Sequence, residues 1–257
     1  MDPRWPAVLW LVRHGESAGN VALAAAEAAG APTIEITGRE VDVPLSTRGE
    51  KQARALGHWF AQRPETERPS IVMTSPYARA HRTGALALES LAPTRPLVHV
   101  VDERLREREL GILDRLTRHG IRARYPDEVA RRAQLGKLYY RPPGGESWCD
   151  VILRLRSLLD HIQLRFRDER VLLVSHQAVV LCFRYLLEEM SESQLMTIDG
   201  ERELANCSLT TYVAQQDHET HRLVLTGYND VGHLEEEGAP VTVAPDTGTP
   251  ALEPERP

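Results

Sequence analysis

Three short apolar runs, each ending abruptly in polar or charged residues, organise the chain. Ala7 to Val12 is apolar without alternation, and Arg13-His14-Gly15 follow at once. Ile71-Val72-Met73-Thr74 leads into Ser75-Pro76, and Val171-Leu172-Leu173-Val174 leads into Ser175-His176-Gln177. Runs without alternation are what a central parallel strand, covered on both faces, requires. Between them, apolar positions at helical spacing predict helices over Gly49 to Gln62, Arg79 to Leu91 and Asp150 to Arg167. A fourth, more apolar helix is predicted from Ala178 to Leu187. Ser75 followed by Pro76 reads as an N-cap with proline at the first helical position. The strand, helix, strand alternation predicts an α/β fold.

The remaining segments decorate that plan. Leu209 to Val213 and Leu223 to Leu225 read as an edge hairpin, and alanine-rich Val21 to Ala31 as a surface helix inserted before Thr37-Gly38. Gly111 to Glu146 carries Tyr125-Pro126, Tyr139-Tyr140 and Pro142-Pro143-Gly144-Gly145, and its length and turn chemistry predict a lid over the strand ends. From Glu235 onward Glu, Pro, Thr and Gly dominate, which predicts a disordered tail. The expected organisation is one domain over residues 1–234, with its lid at about 111–146, and a tail at 235–257.

Composition narrows the partners. A chain of 257 residues with 42% hydrophobic and 26% charged residues buries an ordinary globular core. Its formal charge of −6 argues against nucleic acid, whose backbone needs a clustered basic face. No stretch approaches the ~20 apolar residues that span a bilayer, so no membrane partner is expected. The run from Ala7 to Val12 is too short for a signal peptide, and Cys149, Cys182 and Cys207 lack CxxC spacing. Both points lead to a cytoplasmic protein with reduced thiols.

The chemistry gathers where the three strands end, because ligands of open parallel sheets bind outside the strands' carboxyl ends. His14 beside Arg13 reads as a nucleophile next to a phosphate clamp. Phosphate-monoester hydrolysis can require acceleration of up to ~10²¹-fold, roughly 28 kcal/mol of barrier, and one positioned donor supplies only ~3 to 4 kcal/mol. More cations and an acid are therefore needed. Arg79, in the first turn of its helix, can join Arg13 on the phosphoryl oxygens, and His176 can donate to the transferring group. Within the acidic run Asp102 to Gly111, Glu107 is the candidate acid for the departing alkoxide. Taken singly, each has an ordinary reading: a structural histidine, a solvated helix arginine, an exposed glutamate. Their joint placement at three strand ends selects the phosphoryl-transfer reading. HExxH, Asp-rich metal loops and close His-x-His spacing are all absent, so neither a metal nor a cofactor is expected.

These residues resemble a known family. Leu11-Val12-Arg13-His14-Gly15-Glu16-Ser17 is similar to the signature of the histidine phosphatase superfamily, also called phosphoglycerate mutase-like. The resemblance continues through Asn20, Thr37-Gly38, Asp42 to Ser46, Gly49, Gln52-Ala53, Ser75 to Ala80, Arg104 to Glu107, Gly145 to Ser147 and Val174 to His176. It implies a three-layer α/β/α sandwich with a mostly parallel central sheet, and a phosphohistidine at His14. It also implies phosphate binding by Arg13, Arg79 and His176, and acid catalysis from Glu107. Asn20 and the Gln177 backbone are implied phosphate contacts, with Thr37 and Gly38 nearer the substrate. Tyr125 to Glu128, Pro142 to Ser147 and Ser175 to Val179 resemble the fructose-2,6-bisphosphatase branch and its small-molecule phosphatases. The expected activity is metal-independent hydrolysis of a small phosphorylated metabolite. The alternatives are a cofactor-dependent phosphoglycerate mutase and a non-catalytic module binding a phosphate ligand.

Overall fold

Burial on both faces explains why the central strands do not alternate. In the strand Val8–Arg13, Leu9 and Leu11 join one core cluster while Trp10 and Val12 join another on the opposite face. The computed structural model describes residues 5–91, 97–201, 203–216 and 221–245. Its strands are β1 (Val8–Arg13), β2 (Ile71–Thr74), β3 (Val98–Val101), β4 (Arg170–Ser175), β5 (Leu209–Gln216) and β6 (His221–Asp230). They form one sheet in the order β3-β2-β4-β1-β5-β6. The first four strands run parallel, and β5 and β6 are antiparallel to their neighbours.

Helices α1 (Ala18–Ala28), α2 (Thr47–Ala61) and α3 (Ala78–Leu91) precede α4 (Arg118–Arg124), α5 (Pro126–Leu135) and α6 (Trp148–Arg165). Then come α7 (Gln177–Leu187), α8 (Glu192–Glu201) and α9 (Gly232–Glu236). Helices α2 and α3 cover one sheet face, with Leu56, Phe60, Ala80 and Ala87 packed on Val72, Leu172 and Val174. Helices α6 and α7 cover the other, with Val151, Leu155, Leu158 and Phe183 on Leu11, Met73 and Leu173. The α/β/α sandwich expected from the sequence is the observed fold.

Register brings the reactive ends level. Arg13 stands opposite Ser175, and Thr74 opposite Val174. The ladder runs one step further, His14 N donating to Ser175 O at 2.9 Å and Ser75 N to Val174 O at 3.0 Å.

Four features depart from the sequence reading. Helix α3 begins at Ala78, because the Ser75 hydroxyl, expected to cap it, accepts from Tyr77 N at 3.2 Å and pairs with His176. Strand β3 is a four-residue edge strand that the sequence reading did not place, although three of its four residues are β-branched valines. The segment 111–146 folds into α4 and α5 around a small core of its own, in which Leu113, Ile121 and Tyr140 are buried. Finally, residues 235–245 of the expected tail pack against the domain. Its backbone supplies acceptors to buried side chains: Pro240 O to Gln52, Ala244 O to Arg13 and Pro245 O to Asn20. Such carbonyl contacts leave no trace in composition. The remainder of the expected tail, 246–257, lies outside the described residues.

Candidate active site

The turn after β1 is tied down residue by residue. Gly15 N donates to Thr83 Oγ1 at 3.0 Å and Glu16 N to Gln52 Oε1 at 2.8 Å. Ser17 and Asn20 then form a capping box that starts α1. Glycine at position 49 lets α2 meet this turn backbone to backbone, since a Cβ there would lie 2.0 Å from Glu16 O. His14 is thus carried on a fully bonded loop.

Its ring is oriented as well. Nδ1 lies 2.7 Å from Gly15 O, a pure acceptor, so Nδ1 carries the proton and the neutral ring has its lone pair on Nε2. Arg79 Nε donates to that Nε2 at 3.3 Å. Arg79 is 2% exposed, its guanidinium lies 5.0 Å from the Tyr77 ring centre, and its Nη2 has no hydrogen-bond partner among the described residues. A buried, cationic donor without an acceptor is costly unless an anion takes it.

His176 enters from the end of β4 as the N-cap of α7. Its ring centre lies 5.2 Å from that of His14 and 5.3 Å from that of Tyr77. Nε2 pairs with Ser75 Oγ at 2.9 Å, and Nδ1 lies 3.6 Å from Glu107 Oε2. Gln177, the first residue of α7, presents its N–H at the helix end.

Glu107 is delivered by the segment after β3. Asp102 N donates to Thr74 O, Ser175 Oγ donates to Leu105 O at 2.7 Å, and Arg104 grips Asp102 with Nε and Nη2 at 2.9 and 2.7 Å. Burial raises the Asp102 carboxyl, but the hydrogen bonds and charge of Arg104, with His161, together outweigh it and hold the group below the usual range. Arg154 Nη2 reaches Glu107 O at 3.4 Å, and Arg108 N donates to Glu107 Oε1 at 2.7 Å. Burial, with Arg132 nearby, pushes the Arg108 pKa down to about 10.

His14, Arg79, His176 and Glu107 therefore converge from the β1, β2, β4 and post-β3 segments, all buried. The guanidinium of Arg13 donates to Leu204 O and Ala244 O, and Asn20 Nδ2 to Pro245 O at 2.8 Å. Thr37 and Gly38 are exposed, and Arg115 of the lid segment donates to the carbonyls of Ile36 and Gly38. Glu40, two residues on, reaches the site, its Oε1 3.1 Å from Arg79 Nη1. Sequence reasoning missed Glu40 and Tyr77; the loop between α1 and α2 has no periodic signal that would fix where Glu40 points. Among the described residues, no group of three or more His, Cys, Asp or Glu is arranged to hold a metal ion.

A family model for the histidine phosphatase superfamily (branch 1) matches residues 9–228. The chain belongs to this superfamily. Curated histidine phosphatase relatives include the 6-phosphofructo-2-kinase/fructose-2,6-bisphosphatase of Gallus gallus, 33% identical over 73% of this chain and 34% of its own length. The fructose-2,6-bisphosphatase of Saccharomyces cerevisiae is 31% identical over 75% of this chain and 37% of its own. The chain thus spans about a third of the length of these relatives. Among solved histidine phosphatase folds, mycobacterial glucosyl-3-phosphoglycerate phosphatase in its complex with VO3 has 26% identity and a TM-score of 0.64, covering 87% of this chain and 99% of that one. Bacillus stearothermophilus YhfR has 26% identity and a TM-score of 0.67, covering 88% and 98%.

Proposed function

We propose that the protein is a phosphatase that hydrolyses a small phosphomonoester through a phosphohistidine on His14. The observation that carries this reading is the contact of Arg79 Nε with His14 Nε2, in a ring whose Nδ1 is held by Gly15 O. In this reading Nε2 attacks phosphorus, and the P–O bond to the alcohol breaks. Arg79 and Arg13 neutralise the equatorial oxygens, with Asn20 and the Gln177 N–H as further donors. His176 donates to the same oxygens as charge shifts onto them. Glu107, 3.6 Å from His176, protonates the leaving alkoxide. It then takes a proton from the water that cleaves the P–N bond, so that His14 is regenerated and inorganic phosphate leaves.

The cations are supplied by the chain itself, so the reading requires no metal. Fructose-2,6-bisphosphatase and glucosyl-3-phosphoglycerate phosphatase, the activities named for the relatives, both release phosphate from a small phosphorylated sugar derivative. We assign the action to the cytoplasm, which the free thiols of Cys149, Cys182 and Cys207 support. Among the described residues no helix is long and apolar enough to cross a membrane.

The test is phosphate release from p-nitrophenyl phosphate and a panel of metabolite esters in EDTA, comparing wild type with His14→Ala. Release by wild type alone, both proteins having the same circular dichroism, supports the reading. Equal release by both, or abolition by EDTA, overturns it.

A further inference from the structure

Beyond the reacting groups, a cavity of about 110 Å³ opens beside Glu107. Its charge is the opposite of what a second anionic group would need. Four carboxyls line it, Glu40, Glu107, Glu109 and Asp114, against one cation, Arg108. Arg108 spends its Nε on Glu146 O at 2.7 Å. Tyr77 Oη donates to Glu109 Oε1 at 3.0 Å, and Asp114 has the outlying Arg115 Nε at 3.7 Å. With Glu107 protonated as the acid, three carboxylates still line the cavity against one lining guanidinium, while Arg79 and Arg115 pair with Glu40 and Asp114 from outside the lining.

The second observation is the guanidinium of Arg79. One fork holds His14 through Nε and Glu40 through Nη1, and has a buried Nη2 without an acceptor among the described residues. Nη2 marks where a phosphoryl oxygen binds, so Glu40 stands one guanidinium width from that oxygen. A carboxylate there weakens the pull of Arg79 on any anion. It also repels a second phosphate or a carboxylate on the substrate, whereas a positively charged group is attracted to Glu40, Glu109 and Asp114 together.

We infer that the site selects phosphomonoesters whose alcohol portion carries a cationic nitrogen, with Glu40 as the specificity-determining residue. This rests on the phosphatase reading above. The ammonium sits in the acidic cavity while Arg79, Arg13 and His176 hold the phosphoryl group, and the substrate's two ends are read by fields of opposite sign.

The experiment compares kcat/KM for O-phosphoethanolamine, glycerol 2-phosphate and 3-phosphoglycerate, which carry a cationic, a neutral and an anionic alcohol portion. It uses the full chain at pH 7.5 and low salt, as wild type, Glu40→Gln and His14→Ala. Wild type is expected to prefer the cationic over the anionic ester by at least about tenfold. Glu40→Gln should narrow that ratio by roughly fivefold to tenfold, the effect of one charge at close range in a partly desolvated site. A ratio between substrates is independent of the fraction of folded enzyme, and Glu109→Gln gives a second, more distant removal of charge. His14-dependent release without a preference for the cationic ester, or a ratio unchanged in Glu40→Gln, overturns the inference and leaves the phosphatase intact. No His14-dependent release from these esters or from p-nitrophenyl phosphate overturns both.

Discussion

Arg79 Nε and His14 Nε2 meet at 3.3 Å although 65 residues separate them in the chain. The contact places a planar cation at the atom that would bond to phosphorus. Arg79→Lys keeps the charge and loses the fork that also spans Glu40. We expect kcat to fall about 10²- to 10³-fold, the loss typical of one preorganised donor, with circular dichroism unchanged. Single-turnover kinetics with p-nitrophenyl phosphate would check this, and a loss below about fivefold would remove Arg79 from the transition state.

Glu107 should matter in proportion to how poor the leaving group is. Glu107→Gln is expected to cost about 10²- to 10⁴-fold in kcat/KM for an alkyl phosphate, and far less for p-nitrophenyl phosphate, whose phenolate needs little protonation. Comparable losses on both esters would indicate that Glu107 acts by positioning His176 across their 3.6 Å separation.

Gln52 joins the loop that carries His14 to residues 240–242. Its Oε1 accepts from Glu16 N, and its Nε2 donates to Pro240 O and Thr242 Oγ1 at 2.8 and 2.9 Å. Gln52→Ala leaves the buried Glu16 N–H, and the half-buried Pro240 O and Thr242 Oγ1, short of a partner, so unfolding stability should fall by about 1 to 3 kcal/mol in urea titration. A loss below about 0.5 kcal/mol would show that residues 240–245 contribute little to that loop.

His233 gives the fold an acid-sensitive point remote from the reacting groups. Burial depresses its pKa from 6.5 to about 4, against the pull of Asp230 and the Cys207 backbone and with the help of Arg63. A group depressed on folding contributes fully above the unfolded pKa and loses that contribution as pH falls through the folded one. Between pH 7 and pH 4 the loss is about 3 kcal/mol. Urea titrations at pH 7, 6, 5 and 4.5 should therefore fall more steeply for wild type than for His233→Gln. Parallel curves would sink the assignment.

How much of this was legible beforehand differs from element to element. Val8 to Val12, Ile71 to Thr74 and Val171 to Val174 announce buried parallel strands, because only a strand covered on both faces is apolar at every position. The amphipathic spacing of α2, α3 and α6 is equally local, as are the groups at the strand ends, His14, Ser75 and His176. Arg79 follows from its place in the first turn of α3. From these alone the α/β class and four converging residues could be read.

Contacts between distant segments could not be read this way. Glu40 lies in a loop without periodicity, and its approach to Arg79 depends on the lid, where Arg115 fastens Ile36 and Gly38. That same fastening leaves Thr37 and Gly38 on the surface. The packing of residues 235–245 depends on backbone carbonyls meeting Gln52, Arg13 and Asn20, and every residue has a carbonyl whatever its side chain. Hydrophobic pattern and strand-end chemistry are properties of neighbouring residues, so the sequence by itself determined the layers and the reactive groups. The sign of the charge around the leaving group is a sum over side chains from separate loops, and only the tertiary structure decided it.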